Sequence, residues 1–572
     1  MKRKRLLSIL FYLQFCVLSA LMSQTFVHPG ILHKESDFAR MREKIAKHEE
    51  PWYTTWNNLL NSGGSSLSFY RGVPAEIYRP STGTQAGPTY LFENATAAYQ
   101  NALIYRISGD QAHAQKAVAL LNEQAAKNTF IGGNADRFLA GGLFGYQFAN
   151  AAEMMRGYPG FDEAQFKKYL TDVFMYPIVG QFLFAINGGA AHNGACCTNY
   201  RVNWDACNMA AAAAIAIFCD NKEWYDMTVD YFKNDCSNGN ISRAVNFIQP
   251  GENGEPDLGQ WEESGRDQGH TCGGMAEYGL FLEMAWNQGD DLFGYDDSRF
   301  RKGAEYVAKF NIMANGVGKY TLPYTSYTRQ MGTTCTLYTE SNVSESGRGA
   351  RSSYLSQVLN HYQYRAKVPF AKVKYMAEAL PGQYSGNYDG GFEGTSTDNY
   401  DQPGFGNLTY TLDSTSSVFP WTSMDIAARS TALLPNYGKT SLVGSTLTVK
   451  GSGAGVNGSS DFCQFAFQPL FDDGSIVVKM SSLNEVNAFC QSGLMMRESL
   501  EQNSTNLFLS LSTAQGVIFS SRDVAGGTTS NIASNNVLKT VPCWLRLLRA
   551  GNVFTAVVSS DSINWVVVGS KT

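Results

Sequence analysis

Residues 261–271 read WEESGRDQGHT and lead directly into the apolar segment 272–286. In a chain of which only 17% of the residues are charged, this short run concentrates carboxylate, guanidinium and imidazole groups. Such groups at the entrance of a buried helix can move a proton beside a stabilised anion. A solvated loop that caps the helix is the simpler interpretation, because polar helix entries are common. The run predicts a helix entrance and a candidate active site at one place.

The length and charge of the chain limit its fold and its partners. A chain of 572 residues is too long for one ordinary core, so we expect two or three domains. The net charge of −5 argues against a protein that binds nucleic acid or a membrane surface through a basic field. An acidic ligand would therefore need a local cluster of Arg and Lys.

The N-terminus has the features of a secretory leader. Residues 2–5 are basic, and residues 6–22 are almost all apolar. This pattern predicts a signal peptide over residues 1–23 and a secreted or periplasmic protein. A single-span anchor is the alternative, since about 17 apolar residues is the lower limit for crossing a membrane. After cleavage we expect no stable membrane insertion.

Cysteine spacing argues against a metal site. Ten of the eleven cysteines lie beyond the predicted leader, and an exported protein could pair them. The chain contains no CxxC pair and no zinc-type spacing of Cys and His, so we expect no metal and no other cofactor.

Between residues 36 and 380 the sequence predicts successive helices. Asp110 precedes segment 111–126 as a cap, and the preceding helical segment, 97–107, predicts an antiparallel helical hairpin. Asp162 begins another helix, which Pro177 should kink or end. Segment 204–219 is apolar on all sides and must be buried. Amphipathic and wholly apolar helices alternate, as expected for an inner ring of helices inside an outer ring.

The composition changes twice after this helical region. Residues 381–439 are rich in turn-forming residues and predict a connecting region. From residue 440 to 572, apolar side chains alternate in short runs such as 475–480, 507–512 and 544–548. Several short strands at this spacing predict an antiparallel β-sandwich.

Four motifs resemble the helical-toroid polysaccharide lyases that act on alginate and glucuronan. They are NWDAC at 203–207, ESGRDQGHT at 263–271, AWNQG at 285–289 and NHY at 360–362. The resemblance covers roughly residues 26–367. It implies an α/α toroid, an incomplete helical barrel, over residues 24–380. The segment around Trp544 and Trp565 is similar to lectin-like jelly-roll modules, which implies a carbohydrate-binding role for residues 440–572.

Such lyases cleave a uronate polymer by β-elimination. The C5 proton becomes acidic when the neighbouring carboxylate is neutralised, a base removes it, and an acid protonates the leaving O4. For the neutralising clamp, the resemblance implies Asn203, His270 and Arg266. Each has a structural alternative: Asn203 as a helix N-cap, His270 as a helix cap, and Arg266 in an internal ion pair.

Tyrosine commonly serves as base and acid in the lyases that the chain resembles. Tyr306 follows Arg299 by seven residues on one predicted helix face, so an Arg-assisted phenolate is one interpretation. Tyr324 and Tyr327 are rivals on a predicted loop. His270 as the base with tyrosine as the acid is a further possibility. Glu263 could orient Arg266 or His270, or act as the acid of a hydrolase.

The remaining candidates would bind the polymer. Arginine side chains suit carboxylates and aromatic rings suit sugar faces, although a solvated basic face and core packing are the alternatives. These substrate-binding candidates are Arg299, Arg329, Arg348, Arg351, Trp204, Trp261, Tyr327 and His361.

The sequence as a whole predicts a secreted lyase for an anionic, uronate-containing polysaccharide. One alternative is a glycoside hydrolase on the same toroid, using two of four carboxylates as acid and base. Those carboxylates are Glu252, Glu262, Glu263 and Asp267. The other alternative is a non-catalytic glycan-binding protein. Oligomeric state and the choice of polymer are left open.

Overall fold

A computed structural model of the protein describes most of the chain beyond the predicted leader. The residues it describes are 26–251, 255–314, 316–350, 354–383, 401–412, 422–426, 438–443, 446–451, 453–468, 470, 473–484, 488–535 and 540–572. The predicted signal peptide, Glu252 and Arg351 lie outside these residues.

Helices dominate the first two thirds of the chain. They are α1 Glu35–Ala46, α2 Trp52–Leu60, α3 Thr89–Ser108, α4 Gln111–Lys127, α5 Asp136–Met154, α6 Glu163–Tyr169, α7 Gly180–Phe184, α8 Val202–Phe218, α9 Lys222–Asn234, α10 Ile241–Ala244, α11 Gln268–Asn287, α12 Tyr295–Asn311, α13 Tyr354–Asn360, α14 Lys374–Gln383 and α15 Gly406–Thr409.

Local sequence signals account for the helix boundaries. The Asp110 carboxylate accepts a hydrogen bond from the Ala112 amide at 2.8 Å and starts α4. Gly109 takes φ = 78°, which lets the chain reverse between α3 and α4. The Asp162 carboxylate likewise caps α6. The predicted helical hairpin and both caps are confirmed.

Pro177 does not end its helix. The helix that begins with α6 continues through a π-helical stretch, Leu170–Val179, and then through α7. Proline lacks the N–H that an α-helical turn needs. The helix accommodates Pro177 in wider π-helical turns and does not end there. A π-helical stretch therefore stands where the sequence predicted a kink or the end of the helix.

The inner helices lie side by side. Helix α5 packs along α8, and α8 packs along α11. Almost every residue of α8 is buried, because helices or loops cover it on all sides. Amphipathic helices such as α4 and α9 lie outside this layer. The helical region is an incomplete α/α toroid, as predicted.

A short segment beyond the helices joins the same core. Phe405, Leu408 and Tyr410 are buried among the helices, and the Leu412 amide donates to Asn360 at 3.0 Å. This segment falls within the predicted connecting region 381–439. The domain boundaries drawn from the sequence stay predictions.

The strands form two-stranded sheets among the helices and larger sheets near the C-terminus; β1 and β2 pair in parallel, and the other pairs among the helices are antiparallel. They are β1 Glu76–Tyr78, β2 Phe130–Gly132, β3 Val245–Gln249, β4 Leu258–Trp261, β5 Met313–Ala314, β6 Val317–Gly318, β7 Tyr327–Met331, β8 Thr336–Glu340, β9 Thr422–Ile426, β10 Lys439–Val443, β11 Thr446–Lys450, β12 Gly455–Asn457, β13 Ser460–Phe467, β14 Gly474–Met480, β15 Ser492–Arg497, β16 Asn506–Ser512, β17 Gly516–Arg522, β18 Ser530–Asn535, β19 Cys543–Ala550, β20 Val553–Ser559 and β21 Val566–Lys571.

Two four-stranded antiparallel sheets form the predicted β-sandwich. One has the order β14-β19-β20-β21 and the other β15-β16-β17-β18. Alternate side chains of both sheets meet in one core that includes Leu509, Phe519 and Leu545. The hairpin turn expected at residues 550–552 joins β19 to β20, as predicted.

One disulfide ties a hairpin to the helical region, and a second joins two loops within that region. Cys196 pairs with Cys335 in the turn between β7 and β8, and Cys197 pairs with Cys236. The turn of the β7–β8 hairpin is thereby held against the loop that precedes α8.

The length and hydropathy of the helices bear on whether any of them could cross a membrane. Within the described part of the chain, no single helix is long and apolar enough to cross one. The bent pair Glu163–Phe184 and Ile186–Gly194, which meet at 90°, meets the length and composition criteria together.

Candidate active site

The run 261–271 forms both a helix cap and a cluster of ionisable groups. A 3₁₀ turn, Glu262–Gly265, follows β4, and Asp267 then accepts a hydrogen bond from the His270 amide at 2.9 Å. Asp267 is therefore the cap of α11. His270 stands on the first turn of the helix with 47% of its side chain exposed.

The partners of His270 fix its tautomer. Its Nδ1 lies 2.7 Å from an Asp267 carboxylate oxygen, and its Nε2 lies 3.0 Å from an Arg266 guanidinium nitrogen. The carboxylate can only accept and the guanidinium can only donate. Nδ1 therefore carries the proton and Nε2 presents a lone pair, which is the form of imidazole that can accept a proton.

Arg266 connects this imidazole to a buried carboxyl. Its guanidinium donates to Glu263 at 2.9 Å and lies 3.5 Å from Asp267, so it has the internal partners that the sequence left open. About 31% of the Arg266 side chain is exposed, whereas Glu263 has no exposed surface. A partly exposed guanidinium thus lies against a buried carboxyl.

Glu263 is held largely in its protonated form at neutral pH. Burial, together with the neighbouring Glu262 carboxylate, raises the pKa of Glu263 to about 8. The Asn203 amide at the start of α8 donates to Glu263 at 3.2 Å. Burial also raises the pKa of Glu262, whose carboxyl accepts from the Val202 amide at 3.2 Å.

Asn203 does not cap α8. The helix begins at Val202, which places Asn203 in its first turn and removes the N-cap interpretation. The Asn203 side chain is partly exposed, and its Oδ1 has no hydrogen-bond partner among the described residues. Gly274 on α11 approaches both Asn203 and Glu263, so these groups share one corner of the site.

Arg201 joins this corner to the β7–β8 hairpin. Its guanidinium donates to Glu262 at 3.0 Å and to both carboxylate oxygens of Glu340, the last residue of β8. All three side chains are buried. The bidentate pair holds the hairpin beside the entrance of α8.

The Tyr324 hydroxyl reaches the same corner. A Cβ on Gly265 would lie 2.3 Å from the Tyr324 hydroxyl and 2.8 Å from a Glu340 oxygen, so only glycine permits this approach. The hydroxyl is buried and has no hydrogen-bond partner among the described residues. Burial and the Glu340 carboxylate raise the pKa of Tyr324 above its ordinary value.

The other two candidate tyrosines have structural partners. The Tyr306 hydroxyl donates to the Pro323 carbonyl at 3.0 Å and the side chain is fully buried. The Tyr327 hydroxyl donates to Asn238 at 2.6 Å. The expected assistance of Tyr306 by Arg299 is absent, because Arg299 binds Asp296 and the Val245 carbonyl.

Two predicted substrate-binding residues lie near the cluster. Arg329, on β7, donates to the Asn199 carbonyl at 2.6 Å and is half-buried. Trp204 is partly buried, with its ring 4.7 Å from the ring of Tyr200. Tyr200, which the sequence did not single out, is in turn hydrogen-bonded to Asn193.

Three other predicted substrate-binding residues have structural roles. Trp261 is fully buried against Tyr278, because β4 turns it into the core. Arg348 donates to the Phe310 and Tyr320 carbonyls. His361 is stacked on a phenylalanine ring at 3.7 Å, and burial lowers its pKa to about 3.

Sequence reasoning did not identify Arg201 and Glu340. Arg201 lies two residues before the NWDAC motif, so the motif's surroundings carried a signal. Glu340 ends an unremarkable strand, and only its pairing with Arg201 reveals it. Among the described residues, one Cys/Asp group is compact enough for a metal ion. Its two sulfurs, from Cys197 and Cys236, are joined in a disulfide.

Comparison with known proteins identifies a family match in the helical region. Residues 89–316 match the family model described as Alginate lyase, which confirms the predicted resemblance over that region. Among curated proteins, none matches the chain.

Solved structures of alginate lyases are also similar. One from Bacteroides ovatus has 12% identity and a TM-score of 0.43, covering 68% of this chain and 100% of that one. Alginate lyase A1-III from Sphingomonas species A1 has 15% identity and a TM-score of 0.34, covering 49% and 78%. A tetrasaccharide complex of alginate lyase A1-III has 17% identity and a TM-score of 0.28, covering 37% and 56%. The chain thus spans little more than half of that last protein.

Proposed function

We propose that the protein is a polysaccharide lyase that cleaves a uronate polymer of the alginate or glucuronan type by β-elimination. The observation that carries the proposal is the convergence of Arg266, a proton-bearing Glu263 and His270 in the short run that contains Gly265, which the Tyr324 hydroxyl approaches. The match of residues 89–316 to the Alginate lyase model supports the same class of reaction.

Neutralisation of the substrate carboxylate comes first in the proposed mechanism. With Glu263 protonated, the charges of Arg266, Asp267 and Glu263 sum to zero, and the partly exposed guanidinium can donate to a sugar carboxylate. If Glu263 ionised, the cluster would carry a net negative charge and repel that carboxylate. The side-chain amide of Asn203, which is partly exposed, is a further donor at this corner.

Proton transfer then divides between two side chains. When the Arg266 guanidinium turns from His270 Nε2 to the substrate carboxylate, Nε2 takes the C5 proton, and the imidazolium that forms is stabilised by Asp267 at 2.7 Å. The electron pair forms the C4–C5 double bond as the bond from C4 to the glycosidic oxygen breaks. Tyr324 gives its proton to that oxygen, since its raised pKa keeps it in the phenol form at neutral pH. Proton transfer from His270 through solvent restores the phenol.

Two parts of the proposal extend beyond the cluster. Trp204 and Arg329 are proposed to hold neighbouring sugars and carboxylates. On the predicted leader over residues 1–23, we also propose that the protein is exported and acts on polymer outside the cytoplasm. The hydrolase alternative fits less well, because Glu262 and Glu263 are adjacent and buried rather than facing each other across a cleft.

The direct test is the product. Incubation with alginate, glucuronan and glycosaminoglycans should give an unsaturated uronate that absorbs in the ultraviolet on at least one polymer, and none on a neutral glucan. New reducing ends without this absorbance would indicate hydrolysis instead. Binding without either product would indicate a glycan-binding protein.

A further inference from the structure

The sheet β14-β19-β20-β21 has one buried and one outward face. Leu545 and Leu547 of β19 point into the sandwich and have no exposed surface. Because side chains alternate along a strand, Trp544 and Arg546 lie on the other face. Val477 and Lys479 of β14 pair with Arg546 and Trp544, and both are exposed. These outward residues form one continuous surface.

The charge of these four strands is all of one sign. Their charged side chains are Lys479, Arg546, Arg549 and Lys571, and the strands contain no Asp or Glu. The whole chain, by contrast, has a net charge of −5. Lys479 and Arg546 lie on the outward face, whereas Arg549 and Lys571 lie on the opposite side of the sheet. The outward face therefore carries two positive charges and no negative charge from its own strands, which favours an anionic partner.

An aromatic ring lies between the two cations of this face. The Lys479 ammonium is 5.9 Å from the centre of the Trp544 ring. Arg546 follows Trp544 by two residues on the same face, about 6.6 Å along the strand. The Arg546 Nε is buried and has no hydrogen-bond partner among the described residues.

Apolar side chains border the arginine on the same face. Arg546 pairs with Val477 on one side and Val557 on the other, and Val557 pairs with Val567. Val477 is 46% exposed and Val567 is 62% exposed. The stem of Arg546 therefore lies in an apolar row, where a hydrogen bond to its guanidinium is stronger than in water.

We propose that this face, Lys479, Trp544, Arg546 and Val477, binds an acidic polysaccharide chain separately from the cleft at α11. A uronate polymer repeats a sugar ring and a carboxylate, and the face places an indole ring beside two cations. A nucleic acid would require many more phosphate contacts than two cations can supply. The inference rests on the proposed function, because it takes the substrate polymer as the ligand.

Affinity electrophoresis of the full-length protein tests the proposal. The gels contain alginate, glucuronan or neutral pullulan, and each protein also carries Arg266→Ala to weaken binding in the cleft. The Arg266→Ala protein is the parent of this series. For an acidic polymer that retains the parent, Trp544→Ala and Arg546→Gln should each raise the Kd about tenfold, which is the size of effect expected when a central contact is truncated. Neither the parent nor the variants should bind pullulan.

Arg549→Gln is the matched control. It removes one positive charge from the same strand, but Arg549 lies on the opposite side of the strand and donates to the Gly551 carbonyl. Its Kd should stay within about twofold of the parent value. Circular dichroism melting of all three variants shows whether the sandwich remains folded.

Activity separates this proposal from the proposed function. In an otherwise unaltered chain, Trp544→Ala and Arg546→Gln should slow elimination on long polymer but not on short oligosaccharides. Unchanged retention in both folded variants, equal loss in Arg549→Gln, or a parent that no acidic polymer retains would overturn the proposal. Retention that depends on Trp544, in a protein that forms no unsaturated product, would uphold it while refuting the lyase reaction.

Discussion

Glu263 has no exposed surface, yet it lies between the Arg266 guanidinium and the Asn203 backbone amide in the first turn of α8. Those donors would normally favour the carboxylate, but burial beside a second glutamate outweighs them and raises its pKa. The proposed mechanism uses this balance, because a protonated Glu263 leaves the charge of Arg266 balanced by Asp267 alone, so the cluster does not repel a substrate carboxylate.

The pH dependence of turnover follows from that pKa. A carboxyl whose pKa is raised to about 8 is protonated below that pH and ionised above it. We therefore expect kcat/KM to fall as pH rises through about 8. Glu263→Gln cannot ionise, so its profile should lose this alkaline limb even if its plateau is lower. An alkaline limb that persists unchanged in Glu263→Gln would assign it to another group.

Tyr324 and Tyr306 form a matched pair for substitution. Tyr324→Phe should lower kcat/KM about 10²-fold to 10⁴-fold, the range for loss of a general acid. It should barely change the melting temperature, since the hydroxyl has no hydrogen-bond partner among the described residues.

Tyr306→Phe is its control. It removes the hydrogen bond to the Pro323 carbonyl and should cost about 1 kcal/mol of stability, with little effect on turnover. Kinetics and thermal melts of both variants are the measurements. The reverse pattern would return the acid role to Tyr306.

The elements of the site are held by covalent and ionic links between distant segments. The hairpin β7–β8 contributes Glu340, the partner of Arg201, and Cys335 in its turn is bonded to Cys196. Neither link is readable from local sequence, because each joins residues more than a hundred positions apart.

Removal of that disulfide should loosen the hairpin. The double variant Cys196→Ser, Cys335→Ser should lose about 2–4 kcal/mol of stability and show faster hydrogen exchange in β7 and β8. Lower kcat/KM should accompany it, because Glu340 and Tyr324 share one corner. Cys219→Ser, which alters an unpaired cysteine, is the control. Unchanged exchange in the hairpin would show that the Arg201–Glu340 pair alone holds it.

Among the described residues, two hydrophobic cores share no residue. One includes Leu282 of α11 and the other Leu545 of β19, and both leucines have no exposed surface. Separate cores allow separate unfolding, since each buries its own apolar surface.

Calorimetry should therefore resolve two thermal transitions. Leu545→Ala should destabilise the sandwich by about 2–5 kcal/mol and move one transition only. Leu282→Ala should move the other. A single transition that shifts in both variants would show that the two cores unfold together.

The sequence by itself determined that a helical region precedes the strands of the sandwich, the caps at Asp110 and Asp162, and the burial of α8; it did not predict the short strands β1 to β8 among the helices. Each depends on periodicity or on contacts a few residues apart. The charged run 261–271 also identified Arg266, His270 and Glu263, which lie close together because one short turn carries them.

Only the tertiary structure decided which side chains complete the site. Trp261, Arg348 and His361 had suitable chemistry, but packing placed them in the core or against backbone carbonyls. Arg201, Glu340 and the free hydroxyl of Tyr324 meet through contacts between distant segments. Long-range contacts of this kind depend on how helices and hairpins pack, which no local pattern in the chain records.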